Sequence, residues 1–104
     1  MDELEKKTKA WVGDAVLALY AREWILAQTD IAVADRAAVF KSMTSNQFLS
    51  AMGQPTQVEA DIGMVYEREG LQAAFDYMEE RLLPVFKKQR RNQKRLGSWR
   101  DKIR

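Results

Sequence analysis

A chain of 104 residues, 46% hydrophobic and 31% charged, has the balance of a folded protein and room for one modest core. It contains neither cysteine nor histidine, which excludes disulfides, thiolate or imidazole metal sites, and every nucleophile pair that relies on an imidazole base. The net charge of +2 conceals an asymmetry: nine cations against Asp101 give residues 87–104 a charge of +8 and leave −6 on residues 1–86.

Any catalysis therefore falls to carboxylates, lysines, tyrosines or hydroxyls, and carboxylate oxygens suit hard cations such as magnesium. The charge division suggests a body over 1–86 and a basic tail over 87–104. An acidic body with a basic end points either to an anionic partner or to a solvated tail. No apolar run approaches the roughly 20 residues of a membrane span. The charged N-terminal residues lack the apolar core of a signal peptide, so a cytoplasmic protein without a membrane partner is expected.

In chain order, Trp11, Val12, Ala15, Val16, Leu19, Tyr20, Trp24 and Ile25 recur at helical spacing, which predicts a helix over 9–28. It is apolar on more than one side, so a central helix packed all round is expected. Asp30 is a candidate start for a second helix that continues through Val33, Ala37, Val39 and Phe40 to about Met43. Ser45 reads as the N-cap of a short helix over 46–52, with Gly53 as its stop. Pro55 and Thr56 open the next, whose stripe of Val58, Ile62, Val65 and Tyr66 runs to Gly70. Leu71, Ala74, Phe75, Met78 and Leu82 define a last amphipathic helix that Pro84 kinks or ends. No segment reads as a strand, and the expected architecture is an all-α bundle of five or six helices.

Two carboxylates are oddly placed. Asp14 is the only charged residue between Lys9 and Arg22. Inside a helix it requires a partner or a cation, and alternatively it caps a helix that starts at Ala15. Glu59 completes the capping-box pattern Thr56-Gln57-Val58-Glu59, so it either bonds back to the Thr56 backbone or serves as a ligand. Asp61 lies about 200° round a helix from Glu59 and is expected to face away.

The run Trp11-Val12-Gly13-Asp14-Ala15-Val16-Leu17 resembles the signature of the ribonuclease III catalytic domain, and Leu19-Tyr20-Ala21-Arg22-Glu23 looks most like its Mini-III subgroup. Val58-Glu59-Ala60-Asp61-Ile62-Gly63 is similar to the family's second block, with Tyr66 and Gly70 where that block ends. Ser45-Asn46 resembles a Ser-Asn that opens a helix in the larger enzymes. The resemblance spans about residues 9–83 and implies the all-helical fold of that family, with no room for an appended double-stranded-RNA-binding domain.

The resemblance further implies that Asp14 and Glu59 are the central catalytic and metal-ligating carboxylates, holding magnesium or, alternatively, manganese for phosphodiester hydrolysis in double-stranded or structured RNA. It makes Trp11 the aromatic that packs into a partner subunit of a homodimer, against the alternative of ordinary core. The six cations Lys87, Lys88, Arg90, Arg91, Lys94 and Arg95 are candidates for RNA phosphate contacts. Departures from the family pattern are specific. Lys7, Ala10 and Thr56 stand where the larger enzymes carry further carboxylates, and Asp61 stands where an aliphatic residue is usual. The segment between Ser45 and Glu59 is shorter than in Mini-III, and no charge occurs from Ser42 to Val58. The leading expectation is a magnesium-dependent, homodimeric endoribonuclease. The alternative is a catalytically weak or inactive RNA-binding or ribosome-associated protein of the same fold. A helical interaction protein without an RNA role is disfavoured by the tail and the two motifs.

Overall fold

In the computed structural model, backbone is described for residues 1–103 and side chains for residues 1–93. The described residues are all-helical, as expected, with six α-helices and no strand. None of these helices is long and apolar enough to cross a membrane.

Helix α1 spans Glu3–Ala27 and begins six residues before the apolar pattern does. Asp2 is the reason: its Oδ1 accepts a bond from the Glu5 N–H at 2.8 Å, and Glu3 and Glu5 place negative charge in the first turn. The expectation that α1 is packed all round is corrected. One face is buried through Ala10, Gly13, Leu17, Ala21 and Ile25, while Leu4, Trp11, Leu19 and Leu26 lie exposed on the other.

Asp30 does not start the second helix. Its carboxylate instead pairs with Arg90 at 3.3 Å, and a single 3-10 turn, Val33–Asp35, leads into α2, Arg36–Thr44. Ser45 caps α3, Asn46–Leu49, by accepting from the Phe48 N–H at 3.1 Å. That helix ends three residues short of Met52, in turns that deliver the chain to Gly53.

Helix α4, Pro55–Glu69, starts on its proline, where a missing N–H costs nothing, and stops at Gly70 with φ 93°. Helix α5 covers Leu71–Arg81. The chain breaks at Leu82, two residues before Pro84, and α6 runs Leu83–Ile103 with Pro84 in its first turn.

The core is centred on α1, with Leu17, Leu49, Ile62 and Met78 fully buried. Tyr20 meets Phe75 edge-on at 5.3 Å, and Phe86 is packed edge-on by both Trp24 at 5.6 Å and Phe48 at 5.7 Å. Leu83 and Phe86 are buried, so the first turn of α6 belongs to the body. The helix then passes unbroken through the 86/87 position where the charge changes sign.

Candidate metal centre

Helices α1 and α4 cross so closely that two glycines are required at the contact. A Cβ on Gly13 would stand 1.7 Å from the Glu59 carbonyl oxygen, and one on Gly63 would stand 2.1 Å from the Lys9 carbonyl oxygen. No side chain can occupy either position without separating the helices. The crossing is also tied across its end by an ion pair between Lys9 and Glu67.

This contact brings together two acids that are 45 positions apart in sequence. Asp14 follows Gly13 on the flank of α1, and Glu59 is the residue whose backbone Gly13 touches. The Glu59 carboxyl is half-buried and its pKa is pushed up to about 7. Burial is the first cause, followed by the side-chain hydrogen bond to Asp14 and then by the charge of Asp14. Neighbouring carboxylates repel each other when both are ionised, so a cation placed beside Glu59 and Asp14 would relieve that repulsion.

The structure removes both capping alternatives. Asp14 sits in the middle of a 25-residue helix and caps nothing. The N-cap of α4 is Gln54, whose Oε1 accepts from the Gln57 N–H at 2.8 Å. Thr56 is therefore already helical, and Glu59, a turn inside α4, cannot close a capping box with it.

The other site candidates fall as follows. Asp61 points away from the pair, as expected, and accepts from Gln57 Nε2 at 2.9 Å, while burial and then the charge of Asp61 raise the pKa of Tyr77. Trp11 is 79% exposed, which corrects the alternative that it is ordinary core. Lys87, Lys88 and Arg91 are exposed, whereas Arg90 is half-buried and held by Asp30. The side chains of Lys94 and Arg95 lie outside the described residues.

Two hard oxygen donors fit magnesium, which is commonly held by one or two carboxylates and keeps several waters. Among the described residues, no group of three or more Asp, Glu, His or Cys converges on one point, and these residues offer the pair alone. Of the positions where further acids would add ligands, Lys7 is exposed, Ala10 is buried against the crossing and Thr56 is half-buried.

Sequence reasoning missed the joint role of Gly13, Gly63, Lys9 and Glu67 in setting the crossing. The available signal was a glycine beside Asp14 and another one turn beyond Glu59, each inside an otherwise good helix. Comparison with protein-family models, curated proteins and solved structures gives no significant match to this chain.

Proposed function

We propose that this protein is a magnesium-dependent endoribonuclease of the ribonuclease III type, acting as a homodimer on double-stranded or structured RNA in the cytoplasm. The observation that carries the reading is the convergence of Asp14 and Glu59, which the sequence motifs single out and which the α1–α4 crossing makes neighbours. The resemblance supplies the reaction: hydrolysis leaving 5′-phosphate and 3′-hydroxyl ends.

Asp14 and Glu59 would hold the cation between their carboxylates. Magnesium, when bound, supplies a Lewis acid and a water of lowered pKa. The rigid glycine contact fixes the carboxylates relative to each other before any substrate arrives, which spares the cost of ordering them. Lys87, Lys88 and Arg91 offer charge to the duplex backbone without base selection. The experiment is incubation of labelled duplex RNA with and without magnesium, using wild type, Asp14→Asn and Glu59→Gln. Magnesium-dependent cleavage lost in both variants supports the reading, and cleavage retained in either overturns it.

A second reading is favoured by a specific observation, the lack of a third acid at the pair among the described residues. Lys7, Ala10 and Thr56 take those places, which fits a protein that binds RNA without cutting it. Duplex RNA bound with the salt dependence of phosphate contacts, yet left intact at saturating magnesium, would select this alternative.

A further inference from the structure

We propose that the cleft between α1 and α2 is a binding site for a small molecule that carries a carboxylate or phosphate on an apolar body. The site is independent of the nuclease reading. The cleft, of about 370 Å³, is lined by Arg22, Ile25, Leu26, Arg36, Ala37 and Phe40. Small-ligand sites are typically apolar hollows of this order of size, with a few polar groups that fix orientation. Here those polar groups are two arginines, and every other lining side chain is hydrocarbon.

Neither arginine has an acid. No carboxylate lines the cleft, and neither guanidinium joins an ion pair among the described residues. Asp35, next to Arg36 in sequence, lines a separate cavity with Ala38, Val39 and Ser42 on the other side of α2. Arg36 is half-buried, and its Nε is a buried donor with no hydrogen-bond partner among the described residues. A buried donor left without a partner is costly, and an oxyanion is the acceptor that the guanidinium edge fits best, through two parallel N–H bonds. Arg22 lies 4.2 Å over the Phe40 ring, a contact that holds its plane against the cleft wall. Its hydrogen bond to the Ala18 carbonyl oxygen is long, at 3.5 Å, so its N–H groups remain available to a better acceptor.

Charge and shape together choose the ligand. Two like charges beside one apolar cleft repel each other, and an anion seated between them relieves the repulsion. An inorganic anion would satisfy the guanidiniums but leave Ile25, Leu26 and Phe40 unfilled. An uncharged apolar molecule would do the reverse. The phosphates of duplex RNA are carried on ribose and bring no apolar group to these walls. An anion attached to an aromatic ring or hydrocarbon chain meets both demands. The cleft is also separate from the acid pair, since Arg22 lies eight residues beyond Asp14, about 12 Å along α1. Met43 is the sole buried residue of α2, so a ligand spanning the cleft would tie that helix more firmly to the body.

Calorimetric titration of the full chain with phenylbutyrate and with phenyl phosphate tests the site, with acetate, inorganic phosphate and phenylbutanol as controls. At least one of the two amphiphiles should saturate one site per chain, roughly tenfold or more tighter than every control. Arg22→Gln and Arg36→Gln should each weaken that binding by roughly fivefold or more. Ala37→Leu keeps both arginines but fills the cleft, and should abolish binding while circular dichroism shows the helices intact. Duplex RNA should not compete. Binding no tighter than the controls, or unchanged in Arg36→Gln or in folded Ala37→Leu, overturns the proposal. Displacement by duplex RNA overturns it too, and would make the cleft a phosphate contact for RNA.

Discussion

The α1–α4 crossing and the junction of α6 with the body hold helices together by opposite means. At the crossing, backbone meets backbone over Gly13 and Gly63, and no atom can be added. At the junction, Phe86 fills the space between Trp24 and Phe48 with its ring, and no atom can be removed. The first contact fixes the carboxylate pair, and the second decides where the basic helix leaves the body. A substitution that is gentle in one region is therefore severe in the other.

The largest effect is expected from Gly13→Ala. Its Cβ would collide with the Glu59 carbonyl, so α1 and α4 must separate along their whole contact. Overpacking of a core costs about 1–3 kcal/mol and sometimes more, and a clash with backbone belongs at or above the upper end. Urea unfolding should show a loss of about 3 kcal/mol or more, together with a fall in the apparent pKa of Glu59 as Asp14 moves away. A variant within about 0.5 kcal/mol of wild type would show that the crossing is loose. Phe86→Ala comes next, at about 3–4 kcal/mol for a large buried aromatic truncated in a core. Here the Glu59 titration should stay unchanged, because the cavity opens at the other region. A shift in that titration would show that the two regions are mechanically one.

What the sequence disclosed, and what it hid, also divides along these regions. Pro55 and Gly70 mark the ends of α4 by backbone constraints that no tertiary contact can override. The acid pair was legible through its motifs, but Thr56-Gln57-Val58-Glu59 also matched a capping box. Pro55 resolved the ambiguity by starting the helix earlier, with Gln54 as its cap. Periodicity showed that α1 is apolar on two sides, yet it cannot distinguish a face covered by the same chain from one that is left exposed. The boundary drawn at residue 86 followed charge, whereas packing follows shape. Phe86 and Arg90 tie the first turns of α6 to Trp24, Phe48 and Asp30 despite the basic composition around them.

A smaller effect, but one of definite sign, belongs to Glu59→Gln. A carboxyl whose folded pKa of about 7 exceeds its unfolded value favours folding when protonated. That stabilisation is complete below about pH 4.5 and is lost as pH rises through about 7. The metal-free wild type should therefore lose stability across this window, by about 1–2 kcal/mol once solvent screening of a half-exposed pair is allowed for. Glu59→Gln should flatten the slope, and magnesium should restore stability to wild type above pH 7 but not to the variant. Thermal melts at pH 5 and pH 8, with and without magnesium, measure all of this. An unchanged slope in the variant would assign the pH dependence to another group.

The smallest effect on stability should come from removing residues 87–104, although this deletes most of α6. The truncation keeps Leu83 and Phe86, which anchor the junction, and loses from the described contacts the Arg90–Asp30 pair. A partly exposed ion pair of this kind contributes up to about 1 kcal/mol, and a melt should register no more. Binding is where the deletion should be felt. Each Lys or Arg that neutralises a phosphate releases condensed counterions, so log affinity falls with log salt in proportion to the number of contacts. Lys87 and Arg91 lie one turn apart on one side of the helix, with Lys88 to the side, so up to three exposed cations within the described residues can reach a duplex. Truncation should then weaken duplex-RNA binding most at low salt and make the slope shallower by at least roughly 2–3, since residues 94–104 carry further cations. The loss should be equal for duplexes of unrelated sequence, since backbone contacts carry no base information. Magnesium binding should be unchanged, because Asp14 and Glu59 sit at the other region. Equal affinity and slope for the truncated and full chains would make the basic end a solvated helix and leave RNA to the acid pair and its surroundings.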